Sequence, residues 1–291
     1  TSEITDMSNI FRNTEFNNIH SSNGVGLHND IHSKNGIGLH NQSLNWDTSN
    51  VTSMERMFCN AENFNQPLNF DTSKVTNMEL MFGFAEKFNQ PLNFDTSKVT
   101  SMKEMFSFAR VFNQELKFDT SNVTNMDSMF YKTNIFNQEL NFDTSNVTNM
   151  KLMFGYAERF NQPLNFDTSN IKNMDWMFYN AIEFNQPLNW DTSKVTNMEW
   201  MFCYARDFNQ AINFDTSNVV DMNYMFYNTS AFINKYNNGL EFPYRTEDIK
   251  VWFDNNRDIM NEIGIKDKYG EEIDDFFSKI SNIESNNKQL I

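Results

Sequence analysis

The sequence predicts an α/β solenoid in which each unit contributes one short strand and one short helical or 3-10 segment. Two observations favour this class. The segment that begins at Trp46, WDTSNVTSMERMFCNAENFNQPLN, is followed by close copies with a period of 24 residues and no insertion or deletion. Apolar residues recur in every copy, and each unit must bury them against its neighbours, because a unit this short cannot form a core alone.

Every copy follows one skeleton, which we number from the aromatic residue at position 1. Asp-Thr-Ser occupies positions 2–4, Val or Ile position 6, Met positions 9 and 12, Phe positions 13 and 19, and Leu or Ile position 23 where the copy is intact. The eight repeats start at Trp46, Phe70, Phe94, Phe118, Phe142, Phe166, Trp190 and Phe214.

The spacing inside a repeat predicts its local structure. Positions 12, 13, 16 and 19 follow the 3–4 spacing of one helical face, which in the second repeat places a helical segment at about Met81 to Phe88. Apolar positions 23 and 1 alternate with polar positions 24 and 2, which predicts a short strand at about Leu92 to Asp95. The Asp-Thr-Ser segment that follows is typical of a turn. An all-β solenoid is the alternative.

The chain divides into three parts. Residues 1–45 are predicted to hold a partial repeat, because ITDMSNIF at residues 4–11 matches VTNMELMF of the second repeat. Residues 18–41 form an insertion with a near duplication, and its four histidines are spaced unlike structural zinc ligands, so a polar loop is favoured over a metal site. These histidines are His20, His28, His32 and His40.

Residues 46–237 hold the eight repeats, and residues 238–291 are predicted to form an amphipathic helical cap over the last of them. Thr246, followed by two acidic residues, suits a helix start, and Gly264 suits its end. A second apolar face runs from Ile273 to Ile283, after a first that comprises Ile249, Trp252, Phe253, Met260 and Ile263. A helix that binds a partner is the alternative interpretation of this part of the chain.

Composition excludes several classes of function. The net charge of −15 argues against nucleic-acid binding, which needs a basic surface. No apolar run reaches the roughly 20 residues of a membrane-spanning helix. Cys59 and Cys203 lie six repeats apart, too far to pair within one chain. No catalytic set, phosphate loop or cofactor motif stands out, so we expect neither catalysis nor a cofactor.

The motifs NVTNM, MF-x-x-A-x-x-FNQPLN and W/F-D-T-S-N/K resemble the repeats of the BspA-like leucine-rich-repeat surface proteins. Such repeats occur in bacterial surface proteins, mycoplasma lipoproteins and large DNA viruses. The resemblance implies a leucine-rich-repeat-like arc, exposure on the cell surface or secretion, and a role in adhesion or host interaction. Two departures are Phe where the family commonly has Trp, in six repeats, and the lack of a signal or lipoprotein segment.

Trp176, Trp200 and Tyr224 are the candidate binding residues, because all three occupy position 11 in successive repeats. Position 11 lies off the predicted apolar face, and exposed aromatic clusters are typical binding anchors. Packing of this stripe under the C-terminal cap is the alternative.

The Asp at position 2 recurs in every repeat and forms a column of carboxylates. Calcium binding would use such carboxylates, but the Gly-rich loops that build calcium ladders are absent. We therefore favour Asp side chains that accept backbone N–H bonds in their own turns. The column comprises Asp47, Asp71, Asp95, Asp119, Asp143, Asp167, Asp191 and Asp215.

Two functions follow from the sequence. In the first, a non-catalytic scaffold binds a protein or glycan through variable surface columns. In the second, the repeats form a passive structural spacer or assembly element.

Overall fold

The computed structural model describes residues 4–12, 44 and 46–269. Its repeats contact one another in sequence order. Isolated parallel bridges join position 8 of each repeat to position 8 of the next, from Ser53–Asn77 to Asn197–Asp221. At the amino-terminal end Asp6 pairs with Ser53 in the same manner, so the segment at residues 4–12 stacks on the first repeat as the sequence match predicts.

The local structure of a repeat differs from the predicted strand and helical segment. In the second repeat, residues 81–88 form consecutive turns, and residues 92–95 are in no strand. The N–H of Met81 is donated to the Met78 carbonyl (3.2 Å), whereas the N–H of Phe82 is donated to Met105 of the next repeat (2.9 Å). A helix needs each N–H within its own segment. Both predicted elements are therefore wrong at these residues.

This alternation extends from position 9 to position 15. The N–H groups of positions 9, 11, 13 and 15 are donated to carbonyls at positions 8, 10, 12 and 14 of the next repeat, as for Ser128 with Lys151 (2.8 Å). The N–H groups between them close turns inside the repeat, as for Tyr131 with Ser128 (3.1 Å). Neighbouring repeats are thus joined by backbone hydrogen bonds although the described residues contain no extended strand.

Two corners of every repeat adopt the left-handed backbone conformation. Positions 11 and 15 have φ between 53° and 61° in all eight repeats, and neither position carries Gly. A non-glycine residue in this conformation costs roughly 1–2 kcal/mol. β-Branched residues and Pro tolerate it least, and both positions lack them throughout the repeats. The inter-repeat hydrogen bonds at these corners offset the local cost.

The core is a set of aromatic and methionine columns that run through the stack. Phe82 and Phe88, at positions 13 and 19, stack within their repeat with ring centroids 4.1 Å apart. Phe82 also stacks on Phe106 of the next repeat at 5.7 Å. Met at positions 9 and 12 is fully buried, as in Met78 and Met81. Each aromatic pair adds roughly 0.5–1.5 kcal/mol beyond the burial of its area.

Polar side chains continue the stacking where the backbone bonds stop. The buried Thr120 at position 3 donates its hydroxyl to the Asp143 carbonyl of the next repeat (2.9 Å). The Asn89 side-chain oxygen at position 20 accepts the N–H of Asn113 (2.9 Å). The same bonds recur along the stack, and they explain why the sequence is rich in Asn and Thr.

The described part of the chain ends in two helices. Helix α1 spans Ser230–Tyr236 and helix α2 spans Thr246–Tyr269. The buried face of α2 includes the predicted Ile249, Trp252, Phe253 and Met260, and it contacts Phe226 and Phe232 of the last repeat.

Gly264 lies inside α2, so the predicted stop at this residue is wrong. Glycine retains its backbone N–H and therefore costs only about 1 kcal/mol within a helix. No helix of the described residues is long and apolar enough to cross a membrane. The insertion at residues 18–41 and the second apolar face from Ile273 to Ile283 lie outside the described residues.

Replacement of Thr120 by Val is expected to lower the free energy of unfolding by about 1 kcal/mol, because the Asp143 carbonyl loses the hydrogen bond that the buried Thr120 hydroxyl donates. Thr124→Val is the control, since the Thr124 hydroxyl is exposed and makes a longer bond (3.2 Å). Urea denaturation of both variants measures the difference. Equal losses would contradict a structural role for the position-3 hydroxyl.

The left-handed corner at Glu104 (φ 55°) predicts an order of stability among substitutions. Asn tolerates this conformation, whereas Val does not, so Glu104→Asn should be more stable than Glu104→Val by about 1–2 kcal/mol. Thermal and urea denaturation would show the order. Equal stability of the two variants would mean that the corner relaxes.

Candidate functional site

The predicted stripe at position 11 is brought together in the structure. Trp176 stacks on Trp200 with ring centroids 5.1 Å apart, and Trp200 stacks on Tyr224 at 4.5 Å. All three side chains are half-buried. Tyr244, which is 42% exposed, continues the stack at 5.5 Å from Tyr224. The segment before α2 thus extends the stripe by one ring.

The alternative interpretation placed this stripe under the C-terminal cap. Helix α2 instead contacts the Phe column, where Trp252 lies 5.9 Å from Phe232 and Phe253 lies 6.2 Å from Phe226. Helix α2 therefore covers the apolar core at the end of the stack, whereas Tyr244, in the part of the predicted cap before α2, packs on the last ring of the stripe. The position-11 rings keep part of their surface open to solvent.

A second line of rings lies beside the stripe and alternates between positions 14 and 15. From the third repeat to the eighth, the residues are Phe108, Tyr131, Tyr156, Tyr179, Tyr204 and Tyr227, each in contact with the next. Phe84 stacks on Phe108 at the amino-terminal end. Tyr179 joins the two lines, because its ring lies 4.6 Å from Trp176. We call the combined set of position-11, position-14 and position-15 rings, with Tyr244, the aromatic band.

The sequence contained a signal for this second line that column-by-column inspection misses. Read separately, position 14 and position 15 each carry an aromatic residue only in every second repeat from the third repeat to the eighth. Read together they supply one ring per repeat from Phe108 to Tyr227. Side chains at neighbouring positions can fill the same space because the chain turns between them at a left-handed corner.

Ring orientation decides what the band can contact. Along the stripe, the planes of Trp176, Trp200 and Tyr224 lie within 21–23° of one another, so ring faces pack on neighbouring rings and ring edges remain at the surface. Along the second line the rings cross at steep angles, such as 82° between Tyr131 and Tyr156. Crossed rings expose parts of their electron-rich faces, which attract cations.

Charged groups at position 10 border the stripe. The indole N–H of Trp200 donates to Glu199 (2.9 Å), and Lys151 pairs with Asp175 at 2.8 Å. The Asp175 carboxylate is buried, and its second oxygen, Oδ1, accepts no hydrogen bond from the described residues. A buried acceptor without a donor carries a free-energy cost.

The carboxylates at position 2 are used inside their own turns. Asp143 Oδ1 accepts the N–H of Ser145 (3.0 Å) and its hydroxyl (2.6 Å), and the backbone bond recurs in every repeat. Hydrogen bonds from the Ser side chain and backbone lower the pKa of all eight carboxyls below the ordinary Asp value. Within the described ranges, no three His, Cys, Asp or Glu side chains converge on a point that could hold a metal ion.

The two cysteines are free and buried, and burial raises the pKa of the Cys203 thiol to about 12. A thiol with so high a pKa is a poor nucleophile at neutral pH.

Comparison with known proteins assigns the family. The sequence matches the family described as "Mycoplasma protein of unknown function, DUF285" over residues 27–140, 116–189 and 164–266. The chain belongs to the DUF285 family. The three overlapping matches follow one another along the chain, as expected for tandem repeats of one unit. No curated protein and no solved structure matches the chain.

The lowered pKa values of the position-2 carboxyls predict an acid limit of stability. A carboxyl with a lowered pKa in the folded state stabilises the fold above its unfolded pKa of about 3.9, and that contribution is lost as the pH falls through the folded pKa. The thermal midpoint should therefore drop below about pH 4. Ser145→Ala should raise the pKa of Asp143 toward its ordinary value, which carbon-detected NMR titration measures. An unchanged Asp143 pKa in this variant would contradict the assigned cause.

Proposed function

We propose that this chain is a non-catalytic repeat scaffold that binds a partner protein through the aromatic band. The observation that carries the proposal is the band itself, a continuous line of half-exposed rings along the stack from Phe84 to Tyr244. Exposed clusters of Trp and Tyr are typical of binding surfaces, because these residues bury much area at a low entropic cost.

Ring geometry favours a protein over a glycan as the partner. A sugar ring binds best against an open aromatic face, but the faces of the stripe rings are packed on one another. The stripe instead presents ring edges, hydroxyl groups and the bordering carboxylate of Glu199. Such a mixed surface suits side chains and backbone groups of a protein.

The scaffold is proposed to be a solenoid nearer to the all-β alternative than to a strand-plus-helix unit, because parallel bridges and inter-repeat hydrogen bonds join its repeats. The resemblance of its repeat motifs to those of BspA-like surface proteins supports a role in adhesion or host interaction at the cell surface. That role would place the band where a partner on another cell can reach it. A passive spacer needs no such band.

Two other repeats show which substitution position 11 accepts. Position 11 carries Leu80 and Leu152 in the second and fifth repeats, at φ of 53° and 54°. Substitution of Trp176, Trp200 and Tyr224 by Leu therefore places at each site a residue that the same corner already accepts. We expect this triple variant to fold and to lose about 30-fold or more in affinity, because such rings act as binding hot spots.

The measurement begins with a screen of displayed cell-surface proteins and an array of glycans, followed by interferometry on each hit. The control variant replaces Val111 and Ile135 by Ala, since both are 39% exposed at position 18, outside the band. Unchanged affinity of the triple Leu variant for every hit would contradict the proposal. A screen without any hit would favour the spacer.

A further inference from the structure

One lysine of the chain already lies among the rings of the aromatic band. The ammonium of Lys132, at position 15 of the fourth repeat, lies 4.6 Å from the ring centroid of Phe108 and 5.1 Å from that of Tyr156. It also lies 5.4 Å from the ring of Tyr131. Lys132 takes part in none of the ion pairs of the described residues, so its ammonium interacts with the three rings.

A set of three rings with similar spacing recurs two repeats later, and the position of Lys132 in that repeat carries no lysine. Tyr156, Tyr179 and Tyr204 occupy the positions of Phe108, Tyr131 and Tyr156, respectively. Successive ring centroids are 5.2 and 5.8 Å apart in the second set, against 5.3 and 5.9 Å in the first.

The residue that corresponds to Lys132 in the second set is Asn180. The backbone is the same at both places, with φ of 56° at Lys132 and 54° at Asn180, so the two side chains leave the chain in the same direction. The Asn side chain is neutral and is too short to reach where the Lys132 ammonium lies. Tyr156 belongs to both sets and is already contacted by Lys132. Among the described residues, no ammonium lies over the other two rings of the second set, Tyr179 and Tyr204.

We propose that Tyr156, Tyr179 and Tyr204 bind the ammonium of a lysine side chain from a basic segment of the partner protein. This proposal rests on the proposed binding role of the aromatic band, and it identifies the group of the partner that the second ring set would bind. Lysine is favoured over other cations because Lys132 shows that this ring spacing accepts a butylammonium chain. The net charge of −15 favours a basic partner.

The two ring sets differ in ways that favour an external ligand at the second. Tyr156 replaces Phe108 at the first position, which adds a hydroxyl group. The rings of Tyr156 and Tyr179 are tilted by 55°, whereas those of Phe108 and Tyr131 cross at 79°. The second set also adjoins Trp176 of the stripe through Tyr179, so a lysine bound there belongs to a segment that contacts the stripe as well.

Two substitutions on the full chain test the proposal, and each gives one ring set the residue that the other set has: Asn180→Lys and Lys132→Asn. The probe is the peptide acetyl-Gly-Lys-Gly-amide, and its Nε-acetyl-lysine form is the uncharged control, because acetylation removes the charge that the rings attract. NMR titration follows the ring protons of Tyr156 and Tyr204. We expect the wild-type chain to bind the lysine peptide at least about tenfold more tightly than the acetylated peptide.

Asn180→Lys places an ammonium of the chain itself in the second set and should weaken binding of the peptide by about tenfold or more. Asn180→Gln is the matched control, since it removes the Asn preference for the left-handed corner without adding charge, and it should bind as the wild type does. Lys132→Asn should open the first set, so that the ring protons of Phe108 and Tyr131 also shift on titration.

Equal binding of the lysine and acetyl-lysine peptides, or unchanged binding by Asn180→Lys, would overturn the proposal. Neither result touches the general binding role, which is judged by the triple Leu variant at Trp176, Trp200 and Tyr224. Loss of partner binding in that variant together with unchanged peptide binding in Asn180→Lys would retain the band as a binding surface and discard the lysine site.

Discussion

The alternation of backbone hydrogen bonds between positions 9 and 15 is the constraint on which the rest of the structure depends. Every second N–H joins the next repeat, and the others close turns within the repeat. This pattern requires a sharp change of direction at positions 11 and 15, where the backbone is left-handed without glycine. The strain is accepted because each corner N–H makes an inter-repeat bond and the residues between the corners enter the core.

The same constraint separates the interior from the surface. Met and Phe at positions 12 and 13, between the two corners, are fully buried in every repeat. Side chains at the corners lie beside this core and stay half-exposed in most repeats. The residue types at the corners are therefore free to vary, provided that they are neither β-branched nor proline. The rings of the aromatic band lie at these corner positions or next to them. They stack because the corners of successive repeats lie directly above one another.

A repeat architecture also lets one site serve as the internal reference for another. Lys132 and Asn180 share a backbone conformation and a ring environment, but only the first carries a cation. In a periodic fold, a side chain that contacts a set of rings in one repeat thus indicates which chemical group suits a similar set of rings in another repeat. Along this chain, side-chain chemistry changes at the corner positions while the bonds between repeats are kept.

The sequence by itself determined the period, the register, the buried columns, the partial repeat at residues 4–11 and the apolar face of α2. These follow from the spacing of residue types, which burial controls directly. The strand and helical segment predicted for each repeat were wrong, since the 3–4 spacing of positions 12, 13, 16 and 19 arises from consecutive turns as readily as from a helix.

Only the tertiary structure decided how the corner side chains meet. The sequence singled out Trp176, Trp200 and Tyr224 because they share a column in successive repeats, whereas Tyr131 and Tyr179 stand at position 14 two repeats apart. Contacts between position 14 of one repeat and position 15 of the next depend on the left-handed corner, and nothing in the local sequence announces that conformation when no glycine is present. The continuous aromatic band is therefore a property of the stack, because its rings come together only when the repeats do.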